Sequence, residues 1–152
     1  MYEATAPEAF DELRQHWLRI RIYYEDTDFT GMVYHANYLR FCERGRSDFL
    51  RDAGITHQGL LDRPDPAAFT ITRAEIDFRK AAKVDDLLNV RTRFIGTKGV
   101  RIFFSQAILK EETVMAEAEI TAVQIHADGR PRRPLPEISE HLKAFTYRPA
   151  AV

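Results

Sequence analysis

A short stretch between residues 24 and 38 concentrates the side chains that could do chemistry. Asp26 and Asp28 stand in an acidic turn, Gly31 gives the backbone freedom to reverse, and His35 precedes a helical pattern. A carboxylate can act as a nucleophile or as a base that activates water. The first backbone N–H groups of a helix can stabilise an oxyanion. Together these groups would suffice to hydrolyse an activated acyl group, with a carboxylate of the turn and the helix amides in the two roles.

Each of these residues also has a structural interpretation. An aspartate in a turn is often solvated or bonded to the backbone two residues on. His35 could position a ligand, act as a general acid or simply begin a helix. Tyr34 and Tyr38 are typical of a core or a pocket wall. The residues alone leave these alternatives open.

Other chemistries match the sequence poorly. The stretch DTDFTG at 26–31 resembles the start of an EF-hand calcium loop, but Asn37 stands where that loop needs a bidentate glutamate. Asp26, Asp28 and His35 have side chains that can bind a metal ion, but the third of them does not stand at a spacing typical of a metal site. There is no Gly-x-Ser-x-Gly elbow, and the only cysteine, Cys42, lies in an apolar stripe typical of packing. We therefore expect no metal and no cofactor.

The elements that must position the acidic turn are a strand and a long helix. Leu18 to Tyr24 alternates apolar with basic residues, which predicts a half-buried strand. A helical period follows, with Asn37 as the predicted N-cap and Gly54 as the stop. Its apolar stripe comprises Tyr38, Leu39, Cys42, Gly45, Phe49 and Leu50. A glycine in that stripe indicates that a sheet approaches the helix closely.

The rest of the chain predicts a sheet with short helices at both ends. Residues 5–17 predict an N-terminal helix, opened by a Thr5 and Glu8 capping box, and 55–68 predict a loop. Four strands are predicted at 69–79, 87–95, 100–109 and 114–125, with turns at 96–99 and 111–112. The first has the change of phase that a β-bulge produces, and small residues in the last would let the long helix sit close. A closing helix is predicted at about 136–146.

Length and composition restrict the broad class. With 152 residues, 45% hydrophobic and 30% charged, the sequence predicts one domain spanning 1–152, with a core at about 18–128. The order of a strand, a long helix and then an antiparallel meander predicts the α+β class. A formal net charge of -1 gives no support to nucleic-acid binding. The first residues lack the basic and apolar regions of a signal peptide, and no apolar run is long enough to insert into a membrane. We expect a soluble, cytoplasmic protein.

The motif around the acidic turn resembles that of a known family. The string YxDTDxxGxVYHxxY over 24–38, with Glu43 and Arg46 behind it, is similar to the signature of the hotdog-fold acyl-CoA thioesterases. The 4-hydroxybenzoyl-CoA thioesterase-like group, with its Tol-Pal-associated branch, is the most similar. The likeness runs from about Leu18 to Phe145 and includes weaker matches at 85–86 and 132–136.

The resemblance implies a fold, an activity and site residues. The fold would be a curved antiparallel sheet wrapped around a long central helix. The reaction would be hydrolysis of a small aliphatic or aromatic acyl-CoA, with Asp28 as nucleophile or base and the backbone N–H of His35 binding the oxyanion. Asp26 would then stabilise the turn. Tyr34, Tyr38 and Glu43 would line the substrate site, and a homodimer or homotetramer is expected because open sheet edges are normally paired.

Coenzyme A would also require exposed cations for its phosphates. The candidates are Lys98 and Arg101 in one turn, which the resemblance favours, and Arg79, Lys80 and Lys83 in another. Two other functions stay open. One is a non-catalytic acyl-thioester binding module of the envelope system. The other is a dehydratase that pairs His35 with Glu43. Within the thioesterase interpretation, Glu43 could also replace Asp28 as the essential base, since another branch of hotdog enzymes has its catalytic carboxylate on the central helix.

Overall fold

Five antiparallel strands form one sheet beside a long helix. The computed structural model describes residues 2–150. The strands are β1 His16–Arg21, β2 Ala67–Phe78, β3 Leu87–Lys98, β4 Arg101–Lys110 and β5 Thr113–His126, and they lie in the sheet in the order β1-β3-β4-β5-β2. The helices are α1 Asn37–Asp52, α2 His57–Leu61 and α3 Pro136–Leu142. Single 3₁₀ turns lie at Pro7–Ala9, Tyr24–Asp26 and Lys143–Phe145. The predicted α+β class is confirmed.

Helix α1 lies against the sheet at a glycine, as the sequence predicted. A Cβ atom at Gly45 would lie 2.6 Å from Val90 Cγ1, 2.8 Å from Thr92 Oγ1 and 3.0 Å from Gln106 Nε2. Below 3.0 Å such contacts require a neighbour to move, so only glycine lets α1 come this close to β3 and β4. Most of the predicted stripe is buried, but Leu39 is 41% exposed, so that part of the prediction was wrong.

Two further predictions about the sheet and the chain end are confirmed. The pairing of β2 with β5 shifts register between Ile71 and Arg73, which is the predicted bulge. The closing helix is α3, continued by the 3₁₀ turn Lys143–Phe145, with Ile138, Leu142 and Phe145 buried. Within residues 2–150, none of the helices has the length and apolar character that a membrane span requires.

The helix predicted over 5–17 is absent, because side chains there bond elsewhere. The Thr5 hydroxyl donates to the Arg51 carbonyl at the end of α1 rather than capping its own turn. Asp11 accepts from the backbone N–H groups of Leu13 and Gln15 and so builds a turn, and Arg14 takes a left-handed φ of 66°. Residues from His16 onward then pair with β3.

The elements flanking the acidic turn also differ from the prediction. Strand β1 ends at Arg21, because the Asp26 carboxylate accepts from the backbone N–H of Tyr23 and folds 24–26 into a 3₁₀ turn. Asn37 is not the N-cap; Ala36 holds that position and the Asn37 amide instead donates to the Asp26 carbonyl, at 2.8 Å. The helix stops as predicted, with Gly54 at φ 99°.

Three smaller differences concern the loop after α1 and the later strands. Residues 55–68 contain the short helix α2, capped by the Thr56 hydroxyl, which accepts from the Gly59 N–H. Strand β3 continues to Lys98, so the hairpin turn is shorter than 96–99. The small residues of β5 are buried, but the residues that meet Gly45 belong to β3 and β4.

Candidate active site

Asp28 stands at the start of a tight turn that precedes α1. Thr27 and Val33 form a bridge, and inside it the Asp28 N–H donates to the Met32 carbonyl at 2.9 Å. The Gly31 N–H returns to the Asp28 carbonyl at 3.1 Å, with Gly31 at φ 82°, a conformation that glycine adopts without strain. The turn therefore holds the Asp28 side chain in solvent, beside the helix start.

The two oxygens of the Asp28 carboxylate differ in their contacts. Oδ1 accepts from the Thr30 N–H at 2.8 Å and from the Thr30 hydroxyl. Within residues 2–150, no hydrogen bond to Oδ2 is formed, so this oxygen can meet a substrate or a water molecule. The Thr30 hydroxyl, then the Thr30 N–H and the charge of His35, lower the pKa of Asp28 below its ordinary 3.8. The carboxylate is therefore ionised throughout the neutral range.

His35 supplies a backbone donor in the turn that begins α1. The N–H of Asn37 donates to the Tyr34 carbonyl and that of Tyr38 to the His35 carbonyl. In the described part of the chain, nothing accepts from the His35 N–H, so the donor is available at the positive end of the helix dipole. The His35 imidazole is exposed and lies 4.6 Å from the Tyr34 ring, centroid to centroid.

Asp26 joins the acidic turn to the helix through three hydrogen bonds. Its carboxylate accepts from the Tyr23 N–H at 2.8 Å. Its carbonyl accepts from the Tyr34 N–H at 3.0 Å and from the Asn37 side-chain amide at 2.8 Å. These bonds fix the position of Asp28 relative to His35, which is the turn-stabilising role predicted for Asp26.

An open groove of about 220 Å³ lies beside His35. Its wall is formed by Val33, His35, Tyr38, Phe78, Arg79, Lys80 and Ala81. Tyr38 is buried, and its hydroxyl accepts from the Ala82 N–H at 3.0 Å, so it is both core and wall. Burial raises the pKa of Tyr38 above its ordinary value. Tyr34 is half-exposed near the groove, where its ring meets that of His35.

Glu43 lines a second and more apolar cavity of about 110 Å³. The Ser47 hydroxyl donates to Glu43 Oε1 at 2.6 Å and lies 2.8 Å from His57 Nε2. Arg46 also lines this cavity. Its apolar wall is formed by Leu50, Phe69, Ile71, Ile102, Phe104, Ala122 and Leu142. Sequence reasoning missed Ser47 and His57. The spacing of Glu43 and Ser47 by one helical turn was a usable signal, whereas nothing local links His57 to them.

The structure does not bring His35 and Glu43 together. They are eight positions apart in the sequence, and α1 rises roughly 9 Å along its axis from Asn37 to Glu43. The Glu43 carboxylate is bonded to Ser47 instead. The His35 and Glu43 pair imagined for a dehydratase is therefore not formed within one chain.

Lys98 and Arg101 lie at the far end of the sheet from Asp28. The start of β3 is on the Asp28 side, because Arg21 pairs with Leu87 there. Lys98 ends the same strand, about 35 Å from Leu87 at the usual rise per residue of a strand. Arg101 instead lines a cavity of about 610 Å³ together with Arg73 and Arg132. Neither cation meets the groove beside His35 in the same chain.

Cys42 is a core residue. It is buried, and desolvation raises the pKa of its thiol to about 11, which suppresses the thiolate that a nucleophile needs. Within residues 2–150, no three side chains of the His, Cys, Asp and Glu types are grouped so as to hold a metal ion.

Known proteins resemble this chain in sequence and in fold. The thioesterase-like superfamily matches residues 22–145, which include the acidic turn, α1 and all strands after β1. The chain belongs to this superfamily. The acyl-CoA thioesterase YbgC of Haemophilus influenzae is 43% identical over 101 residues, 66% of this chain and 74% of that protein. The acyl-CoA thioester hydrolase YbgC of Escherichia coli O6:H1 is 34% identical over 119 residues, 78% and 87% of the two chains.

A solved structure of the superfamily matches as well. The crystal structure of a probable thioesterase from Bartonella henselae has 40% sequence identity and a TM-score of 0.77, and covers 80% of this chain and 99% of its own. The hotdog-fold prediction is thereby confirmed for this member of the superfamily.

Proposed function

We propose that this protein hydrolyses the thioester of a small acyl-CoA, with Asp28 and the His35 backbone N–H at the reacting carbonyl. The predicted reaction class, thioester hydrolysis, is confirmed by the superfamily and by relatives named as a thioesterase and a thioester hydrolase. The substrate class and the residue roles are our proposal. They rest on one observation: an available carboxylate oxygen and an available backbone donor are held on one short, hydrogen-bonded segment.

The geometry supports a simple route for the reaction. The thioester carbonyl oxygen accepts from the His35 N–H, which stabilises the negative charge that develops during attack. Asp28 Oδ2 either attacks the carbonyl carbon or takes a proton from a water that attacks it. The C–S bond then breaks, and the coenzyme leaves as a thiolate. After water activation the thiolate takes the proton held by Asp28 and the acid is already formed. After direct attack the thiolate is protonated from solvent, and a water molecule hydrolyses the mixed anhydride between the acyl group and Asp28, which releases the acid. Since Oδ1 is held by Thr30, the carboxylate has a fixed orientation during this step.

A single-turnover experiment in ¹⁸O-labelled water separates the two routes. With enzyme in excess, a water-activating Asp28 gives an acid product labelled in the first turnover. A nucleophilic Asp28 forms a mixed anhydride, and attack of water at the Asp28 carboxyl carbon then leaves an unlabelled Asp28 oxygen in the product and the label in Asp28. Mass spectrometry of the product and of the peptide containing Asp28 reads both results.

Release of free thiol from a panel of acyl-CoAs tests the proposed function. Short aliphatic and aromatic acyl groups should be hydrolysed with saturation kinetics, and the panel identifies the preferred one. A protein that binds acyl-CoA but releases no thiol from any member would instead be a binding module, which would contradict the proposal.

A second copy of the chain is part of the proposal. Glu43 and its cavity lie far along α1 from Asp28, and Lys98 and Arg101 lie at the other end of the sheet. These predicted substrate contacts can therefore serve the Asp28 turn of another copy rather than their own. The Tol-Pal-associated branch also belongs to this proposal, supported by the resemblance of the motif at 24–38, and so does the cytoplasmic location expected from the sequence.

A further inference from the structure

The Asp28 turn, residues 27–33, is held on both of its limbs by the first residues of α1. The two ends of the turn pair in a short antiparallel bridge, so one limb enters and one leaves at the same level. Asn37 and Tyr38 begin α1, and both are buried. Buried polar groups of this kind are normally hydrogen-bonded, and here each of the two side chains serves a different limb.

Asn37 holds the limb that enters the turn. Its side-chain amide donates to the Asp26 carbonyl at 2.8 Å. The Tyr34 N–H donates to the same carbonyl at 3.0 Å. One peptide group of the entering limb is therefore bound twice by the residues around the start of α1, and the limb cannot move away without breaking both bonds.

Tyr38 holds the limb that leaves the turn, through Ala82. The Tyr38 hydroxyl accepts from the Ala82 N–H at 3.0 Å, and the Ala82 carbonyl accepts from the Val33 N–H at 2.9 Å. Ala82 is completely buried, so water cannot replace either bond. Loss of the hydroxyl would leave a buried N–H without its acceptor, which costs more than loss of an exposed bond.

We propose that Asn37 and Tyr38 are positioning residues that fix the Asp28 carboxylate relative to the backbone N–H of His35. This inference rests on the proposed function. The carboxylate lies on the turn and the donor lies at the start of the helix, so these hydrogen bonds join the two segments that carry the reacting groups. A misplacement of about 1 Å between such groups can lower a rate about 10²-fold. The amide and the hydroxyl need not touch the substrate to have this effect.

Two single variants of the full-length protein test the proposal. Asn37→Ala removes the donor to Asp26, and Tyr38→Phe removes only the hydroxyl while the ring that lines the groove stays in place. Circular dichroism and thermal unfolding show that each variant is folded at the assay temperature. Thiol release is then measured over a range of acyl-CoA concentrations and pH values.

Gln124→Leu is the matched control. Gln124 is buried, and its Oε1 accepts from the Leu135 N–H at 3.0 Å, so the variant also leaves a buried backbone N–H without a side-chain acceptor. Gln124 pairs with Phe69 near the start of β2, whereas the groove beside His35 lies at Phe78, at the end of that strand. The control therefore reproduces the loss of stability without touching the Asp28 turn of its own chain.

Asn37→Ala and Tyr38→Phe should each lower kcat about tenfold, with KM within about twofold of wild type. The acidic limb of the pH profile should stay in place, because Thr30 still sets the lowered pKa of Asp28. Gln124→Leu should keep kcat within about twofold of wild type. An unchanged kcat in either test variant, an equal fall in Gln124→Leu, or a higher KM at unchanged kcat would overturn the assignment.

Amide hydrogen exchange keeps this inference separate from the proposed function, because it needs no substrate. The amides of residues 28–33 should exchange about tenfold faster in Asn37→Ala and Tyr38→Phe than in wild type, and Gln124→Leu should leave them unchanged. Faster exchange with no thiol release by wild type would refute the hydrolysis and support the hold on the turn. Thiol release by wild type with unchanged exchange in the two variants would refute the positioning role and leave the hydrolysis standing.

Discussion

Asp28 is exposed, yet its carboxylate is oriented by the residue two positions on. Thr30 binds Oδ1 through both its N–H and its hydroxyl, and within residues 2–150 no hydrogen bond to Oδ2 is formed. An exposed carboxylate normally rotates freely, so these bonds remove a motion that would otherwise have to be frozen during attack. Thr30 is thus a positioning residue for the proposed reaction.

Thr30→Val should shift the acidic limb of the pH profile of kcat/KM to higher pH. The wild-type hydroxyl is the largest cause of the lowered pKa of Asp28, and its loss lets that pKa rise toward the ordinary value. The active ionised form then disappears at a higher pH as the solution is acidified. Thr27→Val is the matched control, because its hydroxyl donates to the Tyr24 carbonyl and does not touch Asp28. An unmoved limb in Thr30→Val would argue against Asp28 as the titrating group.

At the scale of elements, the close approach of α1 to the sheet places its N-terminus beside the acidic turn. The Gln106 amide bridges the two layers under Gly45, with Nε2 donating to the Cys42 carbonyl and to Thr92 Oγ1, both at 2.9 Å. Arg46 donates to Gln106 Oε1 at 2.9 Å. These buried bonds fix the helix against β3 and β4, and the helix in turn fixes His35.

Gly45→Ala should destabilise the fold by about 1–3 kcal/mol, because the added methyl group collides with Val90 and Thr92. Chemical denaturation followed by circular dichroism measures the change. Arg40→Ala, on the exposed face of the same helix, should cost less than about 0.5 kcal/mol. Equal stability of Gly45→Ala and wild type would show that the helix lies farther from the sheet than described.

The sequence could predict elements whose pattern repeats over several turns. Helix α1 has an apolar stripe and a clear stop, and the bulge in β2 appeared as a change of phase, so both were found. The helix prediction for residues 5–17 was wrong because a few apolar positions also match a helical period. The strand pairing of Trp17 with Arg91 depends on β3, which is distant in the sequence. The same reason hid the contact between Ser47 and His57, which only the fold brings together.

At the scale of the whole molecule, strand β2 presents an open sheet edge with exposed apolar side chains. Strand β2 is an edge strand of 12 residues, and Ile71 and Phe78 along it are about half exposed. Phe29, next to Asp28, is fully exposed. Long exposed edges invite pairing, and apolar rings in water favour a covering surface.

We predict that the protein forms at least a dimer through this surface. Light scattering at micromolar concentration should give twice the chain mass of 17.6 kDa, or four times for a tetramer. A monodisperse monomer would contradict the prediction. It would also leave Glu43, Lys98 and Arg101 without a route to the Asp28 turn.

The most direct test of the account is the activity of Asp28→Asn. Asparagine has nearly the same shape and can keep the bonds from Thr30, but it is neither a nucleophile nor a base. Thiol release should fall by about 10²- to 10⁴-fold in kcat, with fold, assembly and acyl-CoA binding nearly unchanged. Asp26→Asn and Glu43→Gln, assayed alongside, should each retain more activity than Asp28→Asn. If Asp28→Asn keeps more than about a tenth of the wild-type kcat while Glu43→Gln is inactive, the helix carboxylate and not Asp28 carries the reaction.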